Sequence, residues 1–311
     1  MDRQLHAVTG AFGYSGLHIS RLLLERGERV ASLTGHPHRP DPFGGRVEVR
    51  AFHFDRAERM REALRDVKVL YNTYWIRFEH GAVTFAGAVE NSRKLIGAAA
   101  EAGVERVVHV SITNPSLDSP LPYFRGKAEV EQVLRASGLS HAILRPAVFF
   151  GGRDVLINNI AWLLRRLPVF GVAPGSYGLQ PIHVEDLARL AVEEGASRID
   201  ATLDAVGPEA LGFRELVELV RTAVRSRAVV VKVPPRLLLL ASRALGALVH
   251  DVVLTPDEVE GLRSGLLLSR GAPTGRTRFT DWLSGNAGAL GAEWASELGR
   301  HFVRDGSSAP R

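Results

Sequence analysis

The sequence contains no cysteine, which excludes disulfides, thiolate metal ligands and cysteine nucleophiles. It also lacks any apolar run of the roughly 18 residues that a membrane span needs. Lysine is scarce, and the four copies among 39 basic residues are Lys68, Lys94, Lys127 and Lys232. No charged-then-apolar signal peptide opens the chain, so we expect a cytoplasmic protein.

The charge and histidine patterns predict neither a nucleic-acid partner nor a metal site. A net charge of +5 and a pI near 9.9 are typical of nucleic-acid-binding proteins. However, the basic residues are dispersed, with pairs such as Arg165-Arg166 and no interleaved aromatic residues, which favours ordinary solvated faces. The 11 His residues show no H-E-x-x-H spacing and no nearby carboxylates at ligand spacing.

The order of apolar patterns predicts an α/β fold. Short apolar runs alternate with helical stripes up to residue 150, beginning with "QLHAVT" and "SGLHISRLLLERG". Such alternation is typical of a doubly wound, parallel, Rossmann-like sheet with helices on both faces. We predict a core over 1–152, to which 183–207 returns. A smaller, mainly helical cap would take 153–182 and 208–303, with a frayed tail over 304–311.

A glycine-rich turn joins the first strand to the first helix. The stretch "VTGAFGYSG" spaces its glycines as G-x-x-G-x-x-G, and it follows a strand and opens a helix. Such a turn lets the backbone approach a pyrophosphate, and the helix N-terminus offers free N–H groups and a positive dipole end. We therefore predict dinucleotide binding by the residues of the turn: Thr9, Gly10, Phe12, Gly13, Tyr14 and Gly16.

The end of the second strand favours NADP(H) over NAD(H). A carboxylate that binds the ribose 2′-hydroxyl is typical there, but "SLTGHPHRP" has none before Asp41. Thr34 and Arg39 would instead accept a 2′-phosphate. NAD(H) stays open as the alternative. Asp55, which closes the third strand, would either accept a hydrogen bond from the adenine amine or cap the following helix.

Tyr123 and Lys127 are four residues apart at the start of a predicted helix, and therefore share one face. A nearby ammonium lowers a phenol pKa towards working pH, which would let Tyr123 exchange a proton with a carbonyl or alcohol. Lys127 would also hydrogen-bond a nicotinamide ribose. Ser111 and Thr113, at the end of the preceding strand, would polarise the substrate oxygen. The alternative is a half-buried Tyr123 beside a Lys127 that is an ordinary surface cation.

These features together resemble the short-chain dehydrogenases/reductases, in their extended and atypical, NmrA-like branches, and the NADPH-holding accessory subunit of respiratory complex I. The resemblance covers residues 4–207. It rests on the glycine turn, Asp55, Asn91, Ser111 in "VSIT", Tyr123-x-x-x-Lys127, "LRPAVFFG" with Arg145, Pro146 and Gly151, and "PIHVEDLARLAV" with His183, Val184 and Asp186.

The resemblance implies roles for individual residues. Tyr123 would be the general acid/base, Lys127 its electrostatic partner and Ser111 the carbonyl-orienting hydroxyl. Asn91 matches an Asn of the helix after the fourth strand, and Pro146 would border the nicotinamide. The sequence departs from the family at two places: bulky rings in "YNTYW" follow the fourth strand, and Gly126 stands where Ser commonly precedes the lysine.

The segment 236–254, "RLLLLASRALGALVHDVVL", is the most apolar part of the C-terminal third. Its polar face is thin, so we predict a buried cap helix and disfavour contact with a membrane surface.

The expected function is therefore an NADP(H)-dependent reductase or dehydrogenase that acts on a small carbonyl or alcohol substrate. Two alternatives stay open: a catalytically silent dinucleotide-binding sensor or assembly protein, and an epimerase or dehydratase.

Overall fold

The computed structural model describes residues 3–301 and divides them into two units. The first unit takes the chain up to Pro146 together with Val184–Ala205, and the second takes Ala147–His183 and the chain from Val206 onwards. The units therefore part a few residues before the predicted boundary at 152. The predicted tail, 304–311, lies outside the described residues.

Strands and helices alternate through most of the first unit, except that the third strand follows the second with no helix between them. In chain order the strands are β1 (Leu5–Thr9), β2 (Arg29–Thr34), β3 (Val47–Ala51), β4 (Val67–Asn72), β5 (Arg106–Val110), β6 (Ser140–Pro146), β7 (Phe149–Phe150), β8 (Val169–Val172), β9 (Gly178–Leu179), β10 (Ile182–His183), β11 (Ala201–Ala205), β12 (Leu211–Gly212) and β13 (Val229–Lys232). The helices are α1 (Tyr14–Glu25), α2 (Ala57–Ala63), α3 (Phe85–Glu101), α4 (Pro122–Ala136), α5 (Leu156–Arg166), α6 (Val184–Ala196), α7 (Phe213–Ala223), α8 (Pro235–Val249), α9 (Pro256–Arg263), α10 (Phe279–Asn286) and α11 (Glu297–His301).

The first unit is built on one seven-stranded parallel sheet. Its strand order is β11-β6-β5-β4-β1-β2-β3, so the order reverses between β1 and β4. Helix α1 packs with α6, whereas α2 and α4 pack against α3. The predicted doubly wound, Rossmann-like fold is confirmed, since parallel neighbours require helical crossovers and those helices bury their apolar stripes on the sheet.

Local signals in the sequence set the helix ends of this unit. Thr84 caps α3 by accepting from the Gly87 N–H at 3.0 Å, and α3 ends before Gly103, whose φ is +76°. Helix α1 likewise ends before Gly27, with φ +82°. A left-handed glycine after the last turn is a common way to end a helix. The helical pattern of "RAERMREALRDV", residues 56–67, predicts a longer helix than α2, because Val67 already begins the next strand.

The second unit has its own core of aromatic and aliphatic side chains, including Phe150, Ile160, Leu216, Val220 and Phe279. Its helices are accompanied by short two-stranded pairings, β7–β10, β9–β12 and β8–β13. The apolar stretch "SHAILRPAVFFG", residues 140–151, predicts a single strand, but it forms two, because β6 ends at Pro146 and β7 pairs with β10. His183 packs on Phe150, with ring centroids 5.1 Å apart.

Helix α8 shows that one prediction was wrong: the segment 236–254 does not form a buried helix. The residues that α8 buries are Ser242 and Gly246, and a Cβ on Gly246 would lie 2.6 Å from the Asp251 carbonyl oxygen. Because α8 packs closely on the rest of the unit through these small residues, leucines on its other side face solvent. Among residues 3–301, no helix is both long and apolar enough to cross a membrane.

Candidate functional site

The turn between β1 and α1 brings two stretches of backbone into contact. Gly10 has φ +64°, and its N–H donates to the Leu33 carbonyl at 2.8 Å. The Gly10 carbonyl accepts from the Gly13 N–H at 2.8 Å, and a Cβ on Gly16 would lie 2.2 Å from that carbonyl oxygen. Only glycine permits this approach at residue 16.

The N-terminus of α1 fits the pyrophosphate of a dinucleotide. Gly13 is the N-cap and makes no side-chain cap, and the first turn of α1 contains no acidic residue. The positive end of the helix dipole therefore faces the turn, which is the usual arrangement for phosphate. Phe12 and Tyr14 form ring contacts with Phe43 and His18, at 6.2 and 6.1 Å between centroids.

Two threonines join the carboxyl ends of β1 and β4, where the strand order reverses. The Thr73 N–H donates to the Thr9 hydroxyl at 2.6 Å, and the Thr73 hydroxyl donates to the Thr9 carbonyl at 2.6 Å. Ligands of open parallel sheets bind in the crevice at such a reversal. Thr9 therefore braces the edge at which a dinucleotide would lie.

The end of β2 has no carboxylate in position for a ribose diol. Thr34 accepts from the His36 N–H at 2.9 Å. Asp41, the first acid after the strand, accepts from the Phe43 and Gly45 N–H groups of its own loop, at 2.7 and 2.5 Å. Arg39 is half-buried in this loop. The preference for NADP(H) therefore stays a prediction.

Asp55 is exposed and pairs with Arg56 at 3.5 Å. The N-cap of α2 is Arg56, without a side-chain cap, so the alternative that Asp55 caps this helix is wrong. Its role towards adenine stays a prediction.

Lys127 is not a surface cation. Its side chain on α4 is buried, and its ammonium donates to the Val110 carbonyl of β5 at 2.8 Å. The same nitrogen lies 4.6 Å from the centroid of the Trp75 ring, in a cation–π contact. Burial lowers the pKa of Lys127 from 10.5 to about 7, and the charge of Glu131 opposes that fall.

The Lys127→Met variant is expected to lose a pH dependence of stability. Between about pH 7 and 10.5 the unfolded chain carries the Lys127 proton and the folded chain does not. Stability therefore rises with pH in this window, by up to about 1.4 kcal/mol per pH unit, and is flat below it. Urea-denaturation curves between about pH 7 and 9 would measure the slope. Lys94→Met, at an exposed lysine of α3, is the matched control, and equal slopes in both variants would contradict the assignment.

Trp75 contacts both members of the predicted catalytic pair. Tyr123 meets the Trp75 ring edge-on, with centroids 5.9 Å apart, and also contacts Phe85 at 5.8 Å. A Cβ on Gly126 would lie 3.0 Å from Cη2 of the indole. Glycine at 126, where the family commonly has serine, is therefore matched to the large ring that follows β4.

The other predicted catalytic groups bind protein partners. The Ser111 hydroxyl donates to Oε1 of Glu131 at 2.6 Å, and Asn91 donates to the Tyr74 hydroxyl at 2.9 Å. Glu131 is buried on α4, where Arg145 also binds it. The Pro146 carbonyl accepts from the Thr113 N–H at 2.8 Å.

Two further residues of this site, Glu131 and His109, were not predicted from the sequence. Glu131 follows Lys127 by one helical turn, so its spacing was a usable signal. His109 is buried in β5, and its Nδ1 lies 3.2 Å from the Asn72 amide nitrogen. Burial, together with the charge of Lys127, lowers the pKa of His109 well below its ordinary value, so the ring is neutral.

Comparison with known proteins identifies the domain around this turn. Residues 10–157 match a family model described as NAD(P)H-binding. This stretch is just under half of the chain, and it is similar to NAD(P)H-binding domains. The predicted resemblance to extended and atypical short-chain dehydrogenases/reductases is confirmed, and the glycine turn and the end of β2 lie within the matched residues.

Two curated relatives are similar over most of this chain. The mitochondrial NADH-ubiquinone oxidoreductase 40 kDa subunit of Neurospora crassa is 26% identical over 220 residues, which is 70% of this chain and 58% of the relative. The NADH dehydrogenase [ubiquinone] 1 alpha subcomplex subunit 9 of Arabidopsis thaliana is 25% identical over 241 residues, 73% of this chain and 60% of the relative. The match thus spans about three fifths of each relative.

Solved structures share the fold of the whole chain. An NADPH-dependent quinone oxidoreductase of Escherichia coli, solved with NADPH, has a TM-score of 0.73 at 19% identity, covering 91% of this chain and 99% of that one. A nucleoside-diphosphate-sugar epimerase of Staphylococcus aureus has a TM-score of 0.71 at 17% identity, covering 90% and 99%. Because reductases and epimerases share this fold, the fold alone does not select a reaction.

Proposed function

We propose that this chain binds NAD(P)H in its first unit and retains it as a bound group, as a redox sensor or assembly protein, without rapid turnover centred on Tyr123. The observation that carries the proposal is the environment of Lys127. Its ammonium is buried between the Val110 carbonyl and the face of Trp75. A cation held in this way does not supply the exposed positive charge that a catalytic phenol needs.

The NAD(P)H-binding domain contains a residue set suited to each part of the cofactor. The glycine turn and the N-terminus of α1 would hold the pyrophosphate, with Thr9 bracing the turn. Thr34 and Arg39 would hold a 2′-phosphate, which favours NADP(H), and Asp55 would hold the adenine amine. When bound, the nicotinamide can supply a hydride.

The remaining polar groups of the site are hydrogen-bonded to other protein groups, which also supports a retained cofactor over catalytic turnover. A reductase of this kind needs a hydroxyl to orient the substrate carbonyl, but Ser111 donates to the buried Glu131. Asn91 is likewise bound to Tyr74. The names of the two curated relatives are those of respiratory-chain subunits. This arrangement matches a role inside a protein assembly. The bound dinucleotide would stabilise the assembly or report the redox state.

A reductase that uses Tyr123 is the second candidate. Tyr123 is half-buried in the first turn of α4, one turn before Lys127. The pKa of Lys127, lowered to about 7, would allow it to pass a proton near neutral pH. A small carbonyl, alcohol or quinone would then be the substrate class.

Two measurements, of cofactor binding and of cofactor oxidation, separate the candidate functions. Fluorescence titration with NADPH and NADH should give tight binding, with NADPH the stronger ligand. Mixing the NADPH complex with a panel of carbonyls and quinones should leave NADPH absorbance unchanged, in wild type and in Tyr123→Phe alike. Oxidation that falls by about a hundredfold or more in Tyr123→Phe would assign catalysis to Tyr123 and overturn the proposal. Tighter binding of NADH would reverse the cofactor preference.

A further inference from the structure

Helix α8 presents leucines to solvent on one continuous stripe. Leu237, Leu240 and Leu248 are 56%, 62% and 74% exposed. The helical repeat places them on the same arc as Ala241 and Ala244, which are also exposed. We call these five residues the α8 stripe.

The α8 stripe is apolar on the arc that a surface helix normally fills with charged or polar residues. Solvent-facing arcs of globular helices are normally charged or polar, and the apolar arc is buried. Here the buried positions are Ser242 and Gly246. A single exposed leucine is ordinary, but adjacent exposed leucines over several turns mark a surface that binds something.

Cations border the α8 stripe, and no acid interrupts it. The segment 229–250 contains no Asp or Glu. Arg236 and Arg243 are both exposed, and their seven-residue spacing places them together on one flank, beside Leu240. An aliphatic stripe with a cationic flank is typical of helices that lie in the plane of an anionic lipid surface.

We propose, contrary to the expectation from the sequence, that α8 docks on an anionic membrane surface, because its leucines are exposed and not buried. The leucines of the α8 stripe enter the boundary between headgroups and acyl chains, and Arg236 and Arg243 contact lipid phosphates. The charge pattern favours lipid over a second copy of the chain, because two α8 helices paired together would bring arginines towards a partner helix without carboxylates.

Vesicle flotation of the full chain tests this proposal. Wild type is expected to float with phosphatidylcholine vesicles that contain phosphatidylglycerol, and far less with phosphatidylcholine alone. The Leu240→Ser/Leu248→Ser variant should lose about tenfold or more of its binding to anionic vesicles. The Arg236→Gln/Arg243→Gln variant should lose binding to anionic vesicles and show little preference between the two vesicle types.

The matched control is Ile199→Ser, at a 76% exposed residue of the first unit, which should bind vesicles as wild type does. Failure of wild type to bind anionic vesicles would overturn the proposal, and so would binding that survives both double variants. A concentration-dependent dimer in analytical ultracentrifugation that Leu240→Ser/Leu248→Ser abolishes would assign the α8 stripe to a second copy instead.

Discussion

Gly16→Ala is expected to reduce NADPH affinity by about a hundredfold or more, which corresponds to about 2.7 kcal/mol. The added Cβ would lie 2.2 Å from the Gly10 carbonyl oxygen and 2.9 Å from its carbon. Both are backbone atoms of a turn that is tied to Leu33 and Gly13 by hydrogen bonds. The turn or α1 must therefore shift, which moves the N–H groups that would hold the pyrophosphate.

The same shift should cost about 1–3 kcal/mol of stability, because an overpacked contact between backbone segments has no side chain that can rotate away. Fluorescence titration would measure the affinity, and urea denaturation the stability. Gly97→Ala, inside α3, is the matched control: a Cβ there meets nothing within 4 Å, so binding should be unchanged. Equal NADPH affinity in Gly16→Ala and Gly97→Ala would rule out the turn as the cofactor site.

The predictable part of the fold is the part that local patterns dictate. Inner strands of the first unit, such as β1 and β5, are short, buried apolar runs, and α1 and α3 end at Gly27 and Gly103, which adopt positive φ. Periodicity and turn chemistry are properties of a few consecutive residues, so they could be read without tertiary information. The short pairings of the second unit, such as β8 with β13, depend on contacts between distant segments and were missed.

Helix α8 illustrates a second limit of prediction from the sequence, which concerns the buried side of a helix. Its sequence is apolar on nearly every side, so the pattern identifies a helix but does not indicate which arc is buried. The small side chains of Ser242 and Gly246 decide that, because they allow the closest packing. Burial of α8 was therefore predicted wrongly, since the prediction rested on how many apolar residues the helix contains and not on where its small residues lie.

At the site, spacing predicted shared helix faces but not the groups packed against them. The four-residue interval between Tyr123 and Lys127 placed both on α4 correctly. The partners of Lys127, the Val110 carbonyl and Trp75, come from β5 and from the segment after β4. Such partners are set by the order of strands in the sheet, which brings residues remote in sequence together.

The buried charge network around Glu131 provides the second large effect. Arg145 binds both carboxylate oxygens of Glu131, with Nε 2.9 Å from Oε1 and Nη2 2.5 Å from Oε2. Arg135 adds a contact at 3.1 Å and Ser111 one at 2.6 Å. The Glu131 charge also raises the pKa of Lys127 against burial. This carboxylate thus balances the cations packed on one side of α4.

Glu131→Ala is expected to destabilise the protein by about 3–5 kcal/mol, because it leaves the Arg145 guanidinium without its buried carboxylate partner. Urea denaturation would measure the loss. Glu129→Ala, two residues away on the same helix, removes a 40% exposed carboxylate that pairs with Arg125 at 4.0 Å, and should change stability by about 1 kcal/mol or less.

In an Arg145→Met background the destabilisation caused by Glu131→Ala should be smaller, because the cation that binds both oxygens of Glu131 is already gone. A cost of Glu131→Ala no larger than that of Glu129→Ala would mean that Glu131 does not stabilise this site.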